Sequence, residues 1–165
     1  MENLCKLGKD NKGFDVFSII LKSEVLQAEV LSYGATLKDL RFNGFENSLV
    51  LGYPSIEDYF CDKNYAGVTI GRYANRISNG QYYLNSQKFE LDKNEVCATL
   101  HGGSESCHNS SWEIKDYGYN FVELAYQFND GDMGFGGTLS VKLRYELAGS
   151  KLILTIEAFT SDLSL

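Results

Sequence analysis

Two arginines, two asparagines and three glycines fall within residues 67–80, Gly-Val-Thr-Ile-Gly-Arg-Tyr-Ala-Asn-Arg-Ile-Ser-Asn-Gly. This mixture is poor strand material, and its glycines would let backbone approach a ligand closely. Arg76 offers a planar fork of donors, and its neighbour Asn75 offers a donor and an acceptor together. Sugar hydroxyls donate and accept at once, so an Asn beside an Arg suits them as a clamp. On composition alone, the plainer reading is stronger: these side chains satisfy the carbonyls of their own loop.

A second cluster begins at His101, followed by Gly102-Gly103 and then Ser104-Glu105-Ser106-Cys107-His108. Histidine titrates nearest neutral pH and can donate or accept a proton in catalysis. A lone histidine hydrogen-bonded within a loop is nonetheless the commoner case. Cys97, His101, Cys107 and His108 lie within twelve positions, but neither C-x₂-C nor H-x₃₋₅-H occurs among them, so no zinc site is expected. Asp130 and Asp132 sit among the glycines of residues 129–137 without the EF-hand spacing or its terminal Glu. A long hairpin connection is expected there, with Phe135 at a pocket rim.

Strands must position these groups. In residues 138–147 every second residue is apolar, which predicts a strand with one buried face. Gly149-Ser150 turns the chain, and 152–159 resumes the alternation as a hairpin. Residues 112–117 and 121–128 form a second hairpin around Gly118-Tyr119-Asn120, and 81–84 with 88–91 a third through Asn85-Ser86. Four earlier strands are predicted at 14–21, 27–32, 37–42 and 49–52. A short helix is predicted only at 56–64, after Pro54, with Ser55 as N-cap and Asp58 three residues on. The fold class expected is an all-β antiparallel sandwich, with residues 1–165 as a single domain, or part of one.

Composition agrees. Of 165 residues, 44% are hydrophobic, and eleven Tyr and ten Phe against one Pro favour pleated surfaces over helices. The net charge of −7 without a basic run argues against nucleic acid as a partner. No stretch reaches the roughly 20 apolar residues needed to cross a bilayer, so no membrane partner is expected. The opening residues, Met1 to Lys6, hold no export-type apolar run. A cytoplasmic setting with four reduced thiols follows as the expectation.

Taken in order, Gly71-Arg72-Tyr73-Ala74-Asn75-Arg76-Ile77, Leu100-His101-Gly102-Gly103, and Asp130-Gly131-x-x-Gly134-Phe135-x-Gly137 resemble the aldose 1-epimerase (galactose mutarotase) family. Leu31-Ser32-Tyr33-Gly34-Ala35-Thr36-Leu37 and Leu49-Val50-Leu51-Gly52-Tyr53 resemble its early strands, so the likeness runs from about Asn11 to Phe159. It implies the N-terminal part of a galactose mutarotase-like supersandwich. The implied activity is cofactor-free interconversion of the α and β anomers of aldohexoses such as galactose and glucose. Asn75 and Arg76 would bind sugar hydroxyls. His101 would bind sugar and assist catalysis near the ring and anomeric oxygens, all three facing one sugar-sized hollow.

The resemblance also implies departures. The family's principal acid histidine, its glutamate base and a sugar-binding aspartate belong to a segment beyond the one matched here, and "GGxxGF" is replaced by residues ending Cys107-His108. Nothing in its spacing supports His108 as a substitute acid. Three forms of the protein are therefore expected: an epimerase, a non-catalytic or vestigial sugar binder, or one half of a split enzyme that self-associates or meets a complementing C-terminal half.

Overall fold

The structure, a computed structural model, describes residues 3–160 and Ser164. Two four-stranded antiparallel sheets form a sandwich. One holds β1 (Leu4–Lys9), β2 (Asp15–Lys22), β3 (Leu26–Leu31) and β4 (Thr36–Phe42) in sequence order. After the short helix α1 (Ile56–Phe60) come two small ladders. The first pairs β5 (Arg76–Ser78) with β8 (Ala98–Leu100), and the second pairs β6 (Gln81–Leu84) with β7 (Gln87–Glu90). The other large sheet holds β9 (Glu113–Tyr117), β10 (Phe121–Phe128), β11 (Leu139–Ala148) and β12 (Lys151–Thr160), again antiparallel neighbours.

Alternation builds the core. Val141, Leu143, Tyr145 and Leu147 of β11 all point inward and are buried, meeting Val122 and Leu124 of β10 and Ile19, Leu21 and Val30 of the first sheet. Each such aliphatic side chain withdrawn from water contributes about 1.5–3 kcal/mol. Tyr145 is buried with its hydroxyl satisfied, donating to the Ala35 carbonyl at 2.9 Å and so tying the two sheets. Trp112 does the same for the site loop: its indole N–H donates to the Cys107 carbonyl at 2.9 Å from within the core. Backbone bonds from Trp112 to Ser32 and from Gly34 to Ser110 finish pinning residues 101–112 onto the first sheet.

The three predicted hairpins are present. Asn85 and Ser86 both take positive φ, as a two-residue hairpin turn requires. Other expectations are corrected. Residues 49–52 form no strand: the Ser48 hydroxyl bonds both backbone groups of Leu40 and accepts the Val50 amide, so a side chain takes the bonds a ladder would use. The helix does begin after Ser55, whose hydroxyl accepts the Asp58 amide, but it stops at Phe60. Asp62 ends it by accepting the Asn64 and Ala66 amides, a local turn that competes with further helix. Nor is the arginine-rich segment irregular throughout, since Arg76, Ile77 and Ser78 pair in register with Leu100, Thr99 and Ala98.

Candidate sugar-binding site

The β5–β8 ladder brings the two sequence clusters together. Arg76 lies opposite Leu100, so Asn75 and His101 face each other one step beyond the ladder's end. The Asn75 amide donates to His101 Nδ1 and the His101 amide donates to the Asn75 carbonyl, each at 3.0 Å. Both residues take left-handed backbone, with φ of 66° and 54°. Asn94 holds the ladder from the other side: its side chain accepts the Leu100 amide at 2.7 Å and donates to the Leu100 carbonyl at 2.9 Å.

This arrangement fixes the histidine's chemistry. A nitrogen that accepts a backbone N–H carries no proton, so the neutral ring holds its proton on Nε2. Nε2 has no hydrogen-bond partner among the described residues and is not enclosed. Partial burial and then the nearby Arg76 cation lower the His101 pKa, with Glu95 acting the other way. At neutral pH the site therefore presents an imidazole N–H donor.

The two arginines divide their roles. Arg72 donates to the carbonyls of Gly136 and Gly137 and lies over the rings of Phe128 and Phe135 at 5.6 and 5.8 Å. It satisfies loop carbonyls, as the plainer reading of the sequence expected. Arg76 does not. Its Nε and one terminal nitrogen grip both oxygens of Glu95 at 2.6 and 2.7 Å, and the other terminal nitrogen reaches Asn75 Oδ1 at 3.2 Å. The fork is exposed, so two of its five N–H groups stay open to a ligand.

Asn75, Arg76 and His101 thus share one surface, but that surface is open. Tyr65 packs edge-on against both His101 and His108, at 4.6 and 5.1 Å between ring centres. It also lines a cleft of about 230 Å³ with Lys12, Tyr33, Glu105 and His108, and none of the three predicted residues lines that cleft. His108 Nδ1 is buried without a hydrogen-bond partner, and burial pulls its pKa down to about 4. Phe135 is not a rim residue: it is 2% exposed, beneath Arg72 and beside Tyr82. Asp130 and Asp132 accept the amides of Gly137 and Asn129, closing their loop. All four cysteines are free thiols, and Cys107 is buried with its pKa pushed up to about 12.

Glu95, Tyr65 and Asn94 were not anticipated from sequence. Glu95 stands nineteen residues from Arg76, and only the register of two three-residue strands makes them neighbours.

Comparison with known proteins gives the family of the chain. The family model described as aldose 1-epimerase matches residues 18–164. The chain is 33% identical to an aldose 1-epimerase of Haemophilus influenzae over 130 residues, covering 78% of this chain and 38% of that protein. It is 31% identical to the galactose mutarotase of Homo sapiens over 145 residues, covering 86% and 42%. Among solved structures, a galactose 1-epimerase from Lactobacillus acidophilus superposes with a TM-score of 0.86 at 28% identity, covering 98% of this chain and 49% of that one. An aldose epimerase homologue from C. elegans gives 0.82 at 29%, covering 87% and 46%. The chain spans less than half the length of these curated relatives. With a matching family model over most of its length and a galactose mutarotase-like fold, this chain belongs to the aldose 1-epimerase family.

Proposed function

We propose that the surface formed by Asn75, Arg76 and His101 binds an aldohexose such as galactose or glucose and serves anomer interconversion. The observation that carries this reading is the fixed tautomer of His101, whose Nδ1 accepts the Asn75 amide while Arg76, near enough to lower the histidine's pKa, holds the Asn75 carboxamide. Ring opening requires a base at the C1 hydroxyl and an acid at the ring oxygen, because both ends of the breaking bond change charge together. A neutral imidazole N–H can hydrogen-bond the ring or anomeric oxygen as negative charge grows there. The Arg76 and Asn75 groups would hold the open aldehyde so that it recloses in place.

A second reading, binding without turnover, is favoured by one observation. Glu95, the carboxylate next to the site, is committed to Arg76, and that pairing lowers its pKa, which makes it a poor proton acceptor. In one half of a split enzyme, the same commitment of Glu95 would leave the base to a complementing half, with residues 1–165 as the N-terminal part of one larger sandwich. Four free thiols suit a reducing, cytoplasmic setting.

Polarimetry of fresh α-D-galactose separates the readings. Decay faster than buffer, slowed by His101→Ala, is the outcome expected of an epimerase. A trace matching buffer, with galactose-induced NMR shifts at Asn75 and His101, supports binding alone. No shifts at all would remove the sugar reading.

A further inference from the structure

The His101 ring is anchored by one hydrogen bond, from the Asn75 amide to Nδ1. A bond to one ring nitrogen is a swivel: the imidazole can turn about it, keep the bond, and present Nε2–H in a different direction. An N–H donor serves a ligand only along a defined direction, so the ring needs a second restraint that resists turning.

Tyr65 has the geometry to be that restraint. Its ring meets the His101 ring edge-on, with 4.6 Å between centres and 66° between planes. Such a pair has a preferred mutual angle, which biases the ring's orientation by up to about tenfold. The tyrosine is itself held. Its backbone takes left-handed φ of 58°, and Asp62 accepts the amides of Asn64 and Ala66 on either side of it. Two residues on, the Gly67 carbonyl accepts the Leu37 amide of β4, which ties the segment to the first sheet. The His108 ring packs on Tyr65 as well, at 5.1 Å and 68°, and burial keeps that imidazole uncharged at neutral pH. None of these contacts uses the phenol oxygen, which has no hydrogen-bond partner among the described residues.

We propose that Tyr65 is a positioning residue of the candidate site: its ring, packed on both His101 and His108, stops the His101 imidazole from turning about its Nδ1 bond and so sets where Nε2–H points. Asn75 chooses the tautomer and Tyr65 chooses the direction. The consequence for sugar rests on the sugar-binding reading; the consequence for the imidazole does not.

Substitution at Tyr65, read at His101, tests it. Tyr65→Phe keeps the ring and removes the hydroxyl. Tyr65→Leu removes the ring, and Tyr65→Met is a second ringless variant in case the first does not fold, which circular dichroism reports. Long-range ¹⁵N–¹H correlation then follows the imidazole. Tyr65→Phe should match the parent chain. The ringless variants should show some Nδ1–H form beside the Nε2–H form, and a titration midpoint raised toward the ordinary histidine value as burial is lost. In parallel titrations, Tyr65→Phe should bind galactose like the parent, and the ringless variants about tenfold more weakly. An unchanged His101 signal in a folded ringless variant overturns the proposal, whatever galactose does. A Tyr65→Phe signal as disturbed as that of Tyr65→Leu overturns it equally, because the hydroxyl would then be the part that matters. A parent chain that binds no galactose removes the sugar reading, and the imidazole spectra still decide this one.

Discussion

Asn75 and His101 are bonded to each other twice, through the Asn75 amide on the imidazole and the His101 amide on the Asn75 carbonyl. The backbone of one sequence motif thereby chooses the tautomer of the other. Long-range ¹⁵N–¹H correlation should find His101 Nε2 protonated and Nδ1 bare at neutral pH. Its titration midpoint should fall below the ordinary histidine value, since partial burial and Arg76 disfavour the cation. An Nδ1–H tautomer would break the site as described.

The two arginines should fail differently when replaced by lysine. Arg76→Lys keeps the charge and loses the fork that grips Glu95 and Asn75, so galactose affinity measured by NMR titration should fall about tenfold while the melting temperature holds. Arg72→Lys should cost about 2 kcal/mol in chemical denaturation, because the carbonyls of Gly136 and Gly137 lose charged donors in a half-buried setting.

Acid should weaken the fold through His108. Its pKa drops from the ordinary 6.5 to about 4, so between those values the unfolded chain binds the proton and the folded chain does not. Stability is therefore complete above pH 6.5 and declines as pH falls toward 4, by on the order of 3 kcal/mol from this residue. His108→Asn should remove that part of the slope in denaturation curves recorded across the window.

Gly102 cannot carry a side chain. Its φ is 89°, and a Cβ there would lie 2.1 Å from the Gly71 carbonyl oxygen, a backbone atom that cannot swing aside. Gly102→Ala should destabilise by more than about 2 kcal/mol and displace His101 next to it, visible as a loss of its characteristic tautomer signal.

Much of the sandwich was legible because alternation survives wherever one sheet face is buried, as in β3, β10 and β11. That Asn75, Arg76 and His101 lie together was legible by motif resemblance; their residue types alone favoured a structural role, which describes Arg72. β1 escaped because its alternation is broken by Gly8 and its residues are largely exposed. β5 and β8 escaped because three-residue strands leave no period to read. With that ladder unseen, Glu95 and Asn94 had no route to the site. The stretch 49–52 misled for the opposite reason: apolar residues in a row mimic a strand, while Ser48 decides the backbone bonding.

Asn94 carries a consequence of its own. Its carboxamide gives Leu100 the acceptor and the donor that the peptide unit of an adjoining strand would give, so it impersonates a neighbour and terminates the sheet there. The chain beyond Leu100 is then free to veer away and display the imidazole instead of being recruited into a longer ladder. Aspartate has nearly the same outline but no N–H to offer, and at neutral pH it would set a negative charge against the Leu100 carbonyl. The display of His101 thus depends on a nitrogen atom that never touches it.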